Sequence, residues 1–157
     1  LQTGTEMIDE VDIYSETALL KAARQGRKQV VEALIKYGAN VAVRDVDKNT
    51  LLVWAIRNHW KDLVPLLLKS ASFDRQDKSL ALATAVRKGM ADMAFILFRV
   101  GAEQNVRDPQ SNTLLMSAVA RGFVDLTRLL LKRGAEVDAQ NLRGQTALML
   151  ASERSGT

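Results

Sequence analysis

Apolar residues recur along the chain in short runs with helical spacing. The stretch Thr113–Gln145 shows the pattern most regularly. There Leu115, Ala118 and Val119 fall at i, i+3 and i+4, and Leu126, Leu129 and Leu130 repeat that spacing. Each set makes one apolar stripe on a short helix. Gly122 separates the two helices. Gly134 closes the second, a position where a left-handed residue is common and glycine takes it cheaply. Two helices this short bury little by themselves, so the unit requires neighbours of its own kind.

Such neighbours are present. Equivalent starting points fall at Thr17, Thr50, Leu80, Thr113 and Thr146, at intervals of 33, 30, 33 and 33 residues. The first-helix stripe recurs as Leu19/Ala22/Ala23, Leu52/Ala55/Ile56, Leu82/Ala85/Val86 and Leu148/Ala151. The second-helix stripe recurs as Val30/Ala33/Leu34, Leu63/Leu66/Leu67 and Met93/Ile96/Leu97. The expected organisation is an N-terminal tail and partial turn over 1–16, then one repeat domain over 17–157. Its repeats span 17–49, 50–79, 80–112 and 113–145, with a partial fifth at 146–157.

The period of 33, the Gly-Ala turns (Gly38-Ala39, Gly101-Ala102, Gly134-Ala135) and the T-x-L start resemble ankyrin repeats. The resemblance covers Thr17 to the C-terminus, and Ile8–Glu16 looks like the turn of a preceding partial repeat. It implies an all-α helix-turn-helix solenoid with hairpin-like fingers between repeats. The usual T-P-L-H start reads Thr-Ala-Leu-Leu at 17–20, Thr-Leu-Leu-Val at 50–53 and Thr-Leu-Leu-Met at 113–116, so no repeat keeps the proline or the histidine.

The second repeat is irregular. His59 stands where the other full repeats have Gly26, Gly89 and Gly122, which predicts a positive φ there. Pro65 falls inside the second-helix pattern and predicts a late start or a bend. Ala71 replaces the closing glycine, and the turn Phe73–Ser79 is three residues shorter than its counterparts, which predicts a stunted finger. Leu1–Thr5 is expected to be a loose end, and Glu6–Glu16 an acidic, solvated entry turn. The fifth repeat offers only Ala147–Glu153 as a first helix. A repeat array ordinarily ends in a polar cap, so the natural chain is expected to continue.

Composition narrows the chemistry. The 157 residues include one histidine and no cysteine, which excludes thiolate chemistry, disulfides and a Cys–His pair. His59 has an adequate structural role at its helix junction. The carboxylates are scattered over turns rather than set at ligand spacing. No phosphate-cradling glycine motif occurs. The expectation is a non-catalytic protein without metal or cofactor. Apolar runs are too short for a membrane span. Leu1–Thr5 has neither the basic region nor the apolar core of a signal peptide, so a cytoplasmic location and a monomer are expected.

By resemblance to ankyrin repeats, the surface free for binding is the concave one, formed by finger tips and the exposed ends of the first helices. Arg24, Arg57, Arg87 with Lys88, Arg121 and Arg154 stand at helix ends, and Arg44, Arg75, Arg107 and Arg143 in fingers. A cation near a helix C-terminus also offsets the macrodipole, so this stripe has a structural reading beside a binding one. Trp54 lies two residues past Leu52, off the core stripe, and is the expected apolar anchor. Trp60 is expected to fill space in the irregular repeat. Tyr14, Val46 and Leu142 are lesser candidates near finger tips. The expected function is recognition of a protein or peptide of acidic character through Arg24, Arg44, Trp54, Arg57, Arg87, Lys88, Arg107, Arg121 and Arg143. Two alternatives stay open. One is a non-protein polyanion such as RNA or a phosphorylated ligand. A net charge of +4 and the lack of an aromatic row for stacking bases argue against nucleic acid. The other is a recognition module of a larger multidomain protein or enzyme.

Overall fold

A computed structural model describes residues 7–155, without the side chains of Arg154 and Ser155. The expected loose end Leu1–Thr5, Glu6 of the acidic entry turn and the helix-end cation Arg154 therefore lie outside the described features. Among the described residues the chain forms α1 (Ala18–Arg24), α2 (Lys28–Lys36), α3 (Leu51–Arg57), α4 (Leu63–Ser70), α5 (Arg75–Arg87), α6 (Ala91–Arg99), α7 (Leu114–Arg121), α8 (Val124–Lys132) and α9 (Ala147–Ser155). They fall into two compact units, Leu1–Asp77 and Lys78–Thr157. In the first unit α1 packs on α2 and α3, and α3 on α4. In the second, α7 packs on α8 and α9, and α6 on α8. The fold is the all-α repeat stack that the apolar pattern predicts.

Threonine precedes every first helix except α5, and at three of them its hydroxyl caps the helix. Thr17 Oγ1 accepts from the Leu20 N–H at 3.4 Å, and Thr146 Oγ1 from the Met149 N–H at 3.4 Å. Thr113 Oγ1 accepts from the Met116 N–H at 3.2 Å. Each bond satisfies a donor that the helix start leaves open. Left-handed residues follow the first helices: Gly26, Gly89 and Gly122 at φ 70–73°, and His59 at φ 59°, as the repeat register predicts. At Gly89 the requirement is also spatial, because a Cβ there would lie 2.9 Å from the Phe123 ring.

The first-helix stripes are buried as expected: Leu19, Ala22 and Ala23, Leu52, Ala55 and Ile56, and Leu82, Ala85 and Val86 are all core residues. The last helix departs. Leu148 is 79% exposed, whereas Leu115, its counterpart one repeat earlier, is 3% exposed. The second-helix stripe needs correction. Leu63, Val64 and Leu67 are buried while Leu66 is 60% exposed, and Val31, not Val30, is the buried residue of α2. The residue after the first stripe position is buried in α2, α4 and α6 (Val31, Val64 and Ala94), whereas in α8 Leu126 and Leu130 are buried as the stripe predicts.

Four fingers share one fastening. Asp12 Oδ1 accepts from the N–H groups of Tyr14 and Glu16, Asp45 Oδ1 from Asp47 and Asn49, Asp108 Oδ1 from Gln110 and Asn112, and Asn141 Oδ1 from Arg143 and Gln145, all at 2.8–3.1 Å. These Asx contacts reinforce the backbone bond that spans each turn, from the N–H of Asp12, Asp45, Asp108 or Asn141 to the carbonyl four residues on at 3.0–3.1 Å. Isolated antiparallel bridges close three of the fingers at Val11–Thr17, Arg44–Thr50 and Arg107–Thr113.

The short turn Phe73–Ser79 does not form a stunted finger. Arg75 stands at the register position of the fastening Asx, so nothing holds a hairpin there, and the segment joins a first helix of 13 residues. Its start carries a reciprocal cap: the Asp77 N–H donates to Asp74 Oδ1 at 2.8 Å and the Asp74 N–H to Asp77 Oδ2 at 3.2 Å. Helix α4 begins two residues late in the repeat register, after Lys61 and Asp62, which puts Pro65 in the first turn, where its missing N–H costs nothing.

Candidate functional site

The expected site residues divide between the two units. In the first, Arg24 Nη2 lies 2.9 Å from the buried Glu16 carboxylate. Arg44 donates through Nε to Asp77 Oδ1 at 2.9 Å and through Nη2 to Asp77 Oδ2 at 3.0 Å and Asp74 Oδ2 at 2.6 Å. This two-carboxylate clamp raises the guanidinium pKa further above its ordinary value, the bonds to Asp77 contributing most. Trp54 is half-buried rather than free. Its indole N–H donates to Asp45 Oδ2 at 3.0 Å, and the Arg57 guanidinium carbon lies 4.7 Å from its ring centroid. Trp54 and Arg57 thus form one stacked pair anchored on a finger carboxylate. Trp60 is buried in the irregular repeat.

In the second unit Arg87 Nη2 donates to Thr84 Oγ1 at 3.2 Å, and Lys88 beside it is exposed. Arg107 Nη1 donates to the carbonyls of Ser111 and Gln140, each at 3.1 Å, tying one finger to the next. A further tie joins the Leu142 N–H to the Gln110 carbonyl at 3.0 Å. Arg121 and Arg143 are brought together. Both line an open groove of about 520 Å³ between the two fingers, α7 and α9, with Leu142 and Leu150 among its accessible apolar walls. Neither arginine has an ion-pair partner among the described residues. Asp108, the acid lining the groove, is committed through Oδ1 to its finger.

The groove exists because two side chains are small. In the repeat register Ser117 stands where Trp54 stands in the first unit, and Ala120 where Arg57 stands. Arg121 is one place further on, level with Asn58 and Lys88 rather than with Arg24, Arg57 and Arg87. Sequence reading selects large or charged residues and so passes over Ser117 and Ala120. A register comparison at those two positions is the signal that finds them. Asp108 is likewise found by its place five residues before a helix-start threonine, shared with Asp12, Asp45 and Asn141. Among the described residues no group of three or more potential ligands could hold a metal ion, and no helix is long and apolar enough to cross a membrane.

Stacked helix pairs joined by fastened fingers, with an open groove beside the fingers, define a repeat-type recognition fold. The family model for ankyrin repeats in three copies matches residues 2–77 and 82–156. The chain belongs to the ankyrin repeat family, whose members mediate protein–protein interaction. It is similar to an ankyrin repeat protein of Fowlpox virus, with 29% identity over 108 residues, covering 69% of this chain and 16% of that protein. A glycerophosphocholine phosphodiesterase of Schizosaccharomyces pombe is 38% identical over 90 residues, 55% of this chain and 8% of the enzyme. An ankyrin repeat domain-containing protein of Stachybotrys chartarum is 32% identical over 99 residues, 61% of this chain and 5% of that protein. The chain thus spans at most 16% of the length of these relatives.

Proposed function

We propose that the chain is a non-catalytic recognition module that binds an acidic peptide segment of a partner protein in the groove lined by Arg121 and Arg143. The observation that carries this reading is the state of those two guanidiniums. Arg24, Arg44 and Arg107 are tied to groups of their own chain, whereas Arg121 and Arg143 line an open volume with no ion-pair partner among the described residues. A guanidinium in such a place offers paired donors that match a carboxylate. The apolar walls at Leu142 and Leu150 supply the burial that a charge contact lacks. The small share that the chain makes up of its relatives supports a second element of the reading, that the module works within a larger protein.

The test is a fluorescence-polarisation titration with Asp/Glu-rich peptides against Lys-rich controls. The acidic set is expected to bind, more weakly as salt is raised, and R121E/R143E to weaken it at least tenfold, about 1.4 kcal/mol. Binding that is indifferent to both substitutions overturns the proposal.

A further inference from the structure

The first unit contains a filled version of the second unit's groove. Asp45 and Asp108 occupy the same register position, as do Asn49 and Asn112. Asp45 Oδ2 accepts twice, from Asn49 Nδ2 at 3.0 Å and from the Trp54 indole N–H at 3.0 Å. Asp108 Oδ2 accepts from Asn112 Nδ2 at 2.9 Å, and no indole is present, since Ser117 replaces Trp54. A carboxylate oxygen has room for two donors. Asp108 therefore presents, at the edge of an open groove, the acceptor that holds an indole in the sister unit. The stacking cation has counterparts too. Ala120 stands at the register position of Arg57 and carries no guanidinium, while Arg121 and Arg143 line the groove.

We infer that the groove receives a tryptophan side chain of the bound acidic peptide, its indole N–H donated to Asp108 Oδ2 as Trp54 donates to Asp45. The inference rests on the peptide-recognition reading and adds the identity of its anchor. Flanking carboxylates of the peptide meet Arg121 and Arg143, and Leu142 and Leu150 cover the ring.

The experiment uses a set of acidic peptides identical except at one central residue: Trp, 1-methyltryptophan, Phe, Leu or Ala. Binding is followed by isothermal titration calorimetry. The Trp peptide is expected to bind tightest, and the 1-methyl analogue, which lacks the N–H, about tenfold more weakly. S117W supplies the missing indole from the chain itself and is expected to weaken the Trp peptide at least tenfold with the circular dichroism unchanged. D108N keeps the finger fastened, as Asn141 does in the next finger, and is expected to erase the preference for Trp over its methyl analogue. A flat series, or a preference that D108N leaves intact, overturns the inference. So does free N-acetyltryptophanamide binding as tightly as the peptide, which marks a small-molecule site instead. A flat series that still responds to R121E/R143E leaves the acidic-peptide reading standing without the indole. Failure of the charge substitutions removes that reading separately. The peptide series needs no protein variant, so a variant that misfolds does not block the decision.

Discussion

Four residues other than glycine hold positive φ among the described positions: Ser15, Lys48, His59 and Ser111, at 57–63°. An L-residue with a Cβ incurs roughly 1–2 kcal/mol there. Lys48 and Ser111 take in their fingers the place that Gly144 takes in the last one. Glycine removes the strain but loses more entropy on folding, roughly 0.5–1 kcal/mol. The balance favours glycine at the exposed Lys48, so K48G is expected to raise the unfolding free energy by about 0.5 kcal/mol, read by guanidinium unfolding. His59 was legible from sequence because three glycines mark its register position. The strain at Ser15, Lys48 and Ser111 was not, because a single glycine, Gly144, marks theirs and the finger geometry is set by the Asx fastening rather than by the strained residue.

At the scale of elements, the stretch around α5 shows how one missing acceptor changes a connection. The interval of 30 residues announces an irregular link, but not that a helix fills it. With Arg75 in place of a fastening Asp or Asn, the segment takes the alternative its capping residues allow, and Arg44 from the preceding finger clamps both of them. Asp77 is 6% exposed, so removing its cation leaves a carboxylate facing the interior. R44M is expected to lower the unfolding midpoint more than K28M, whose partner Asp62 is an exposed carboxylate. Helix content lost at α5 in R44M is to be read from amide chemical shifts. The apolar period revealed the first helices almost completely. In α4 it chose the wrong member, because Leu63, Val64, Leu66 and Leu67 are all apolar and only the packing direction decides which of them is covered.

At the scale of the molecule, several strongly held carboxylates belong to the first unit. The Glu16 N–H and Lys21 hold Asp12 below the usual carboxylate range, Lys28 does so for Asp62, and the Asp77 N–H with Arg44 does so for Asp74. A depressed folded-state pKa adds stability that is fully present above the unfolded value near 3.9 and is lost as pH falls through the folded one. Trp54 and Trp60, the two tryptophans of the chain, both lie in that unit, so indole fluorescence reports on it. The fluorescence-detected unfolding midpoint is expected to hold from pH 7 to 5 and to fall between pH 4 and 2, with a shallower fall in D12N/D62N/D74N. The fold was largely written in the repeat register. The groove was not, because it is formed by what Ser117 and Ala120 lack, and a missing side chain leaves no apolar or charged mark in a sequence.

The smallness of position 117 has a practical side. The chain contains no cysteine, so S117C places a single thiol in the groove wall. Disulfide-bearing fragments would then be captured covalently according to how well they fit that space. The residue that leaves the groove open becomes a tether from which its ligands can be selected by mass spectrometry.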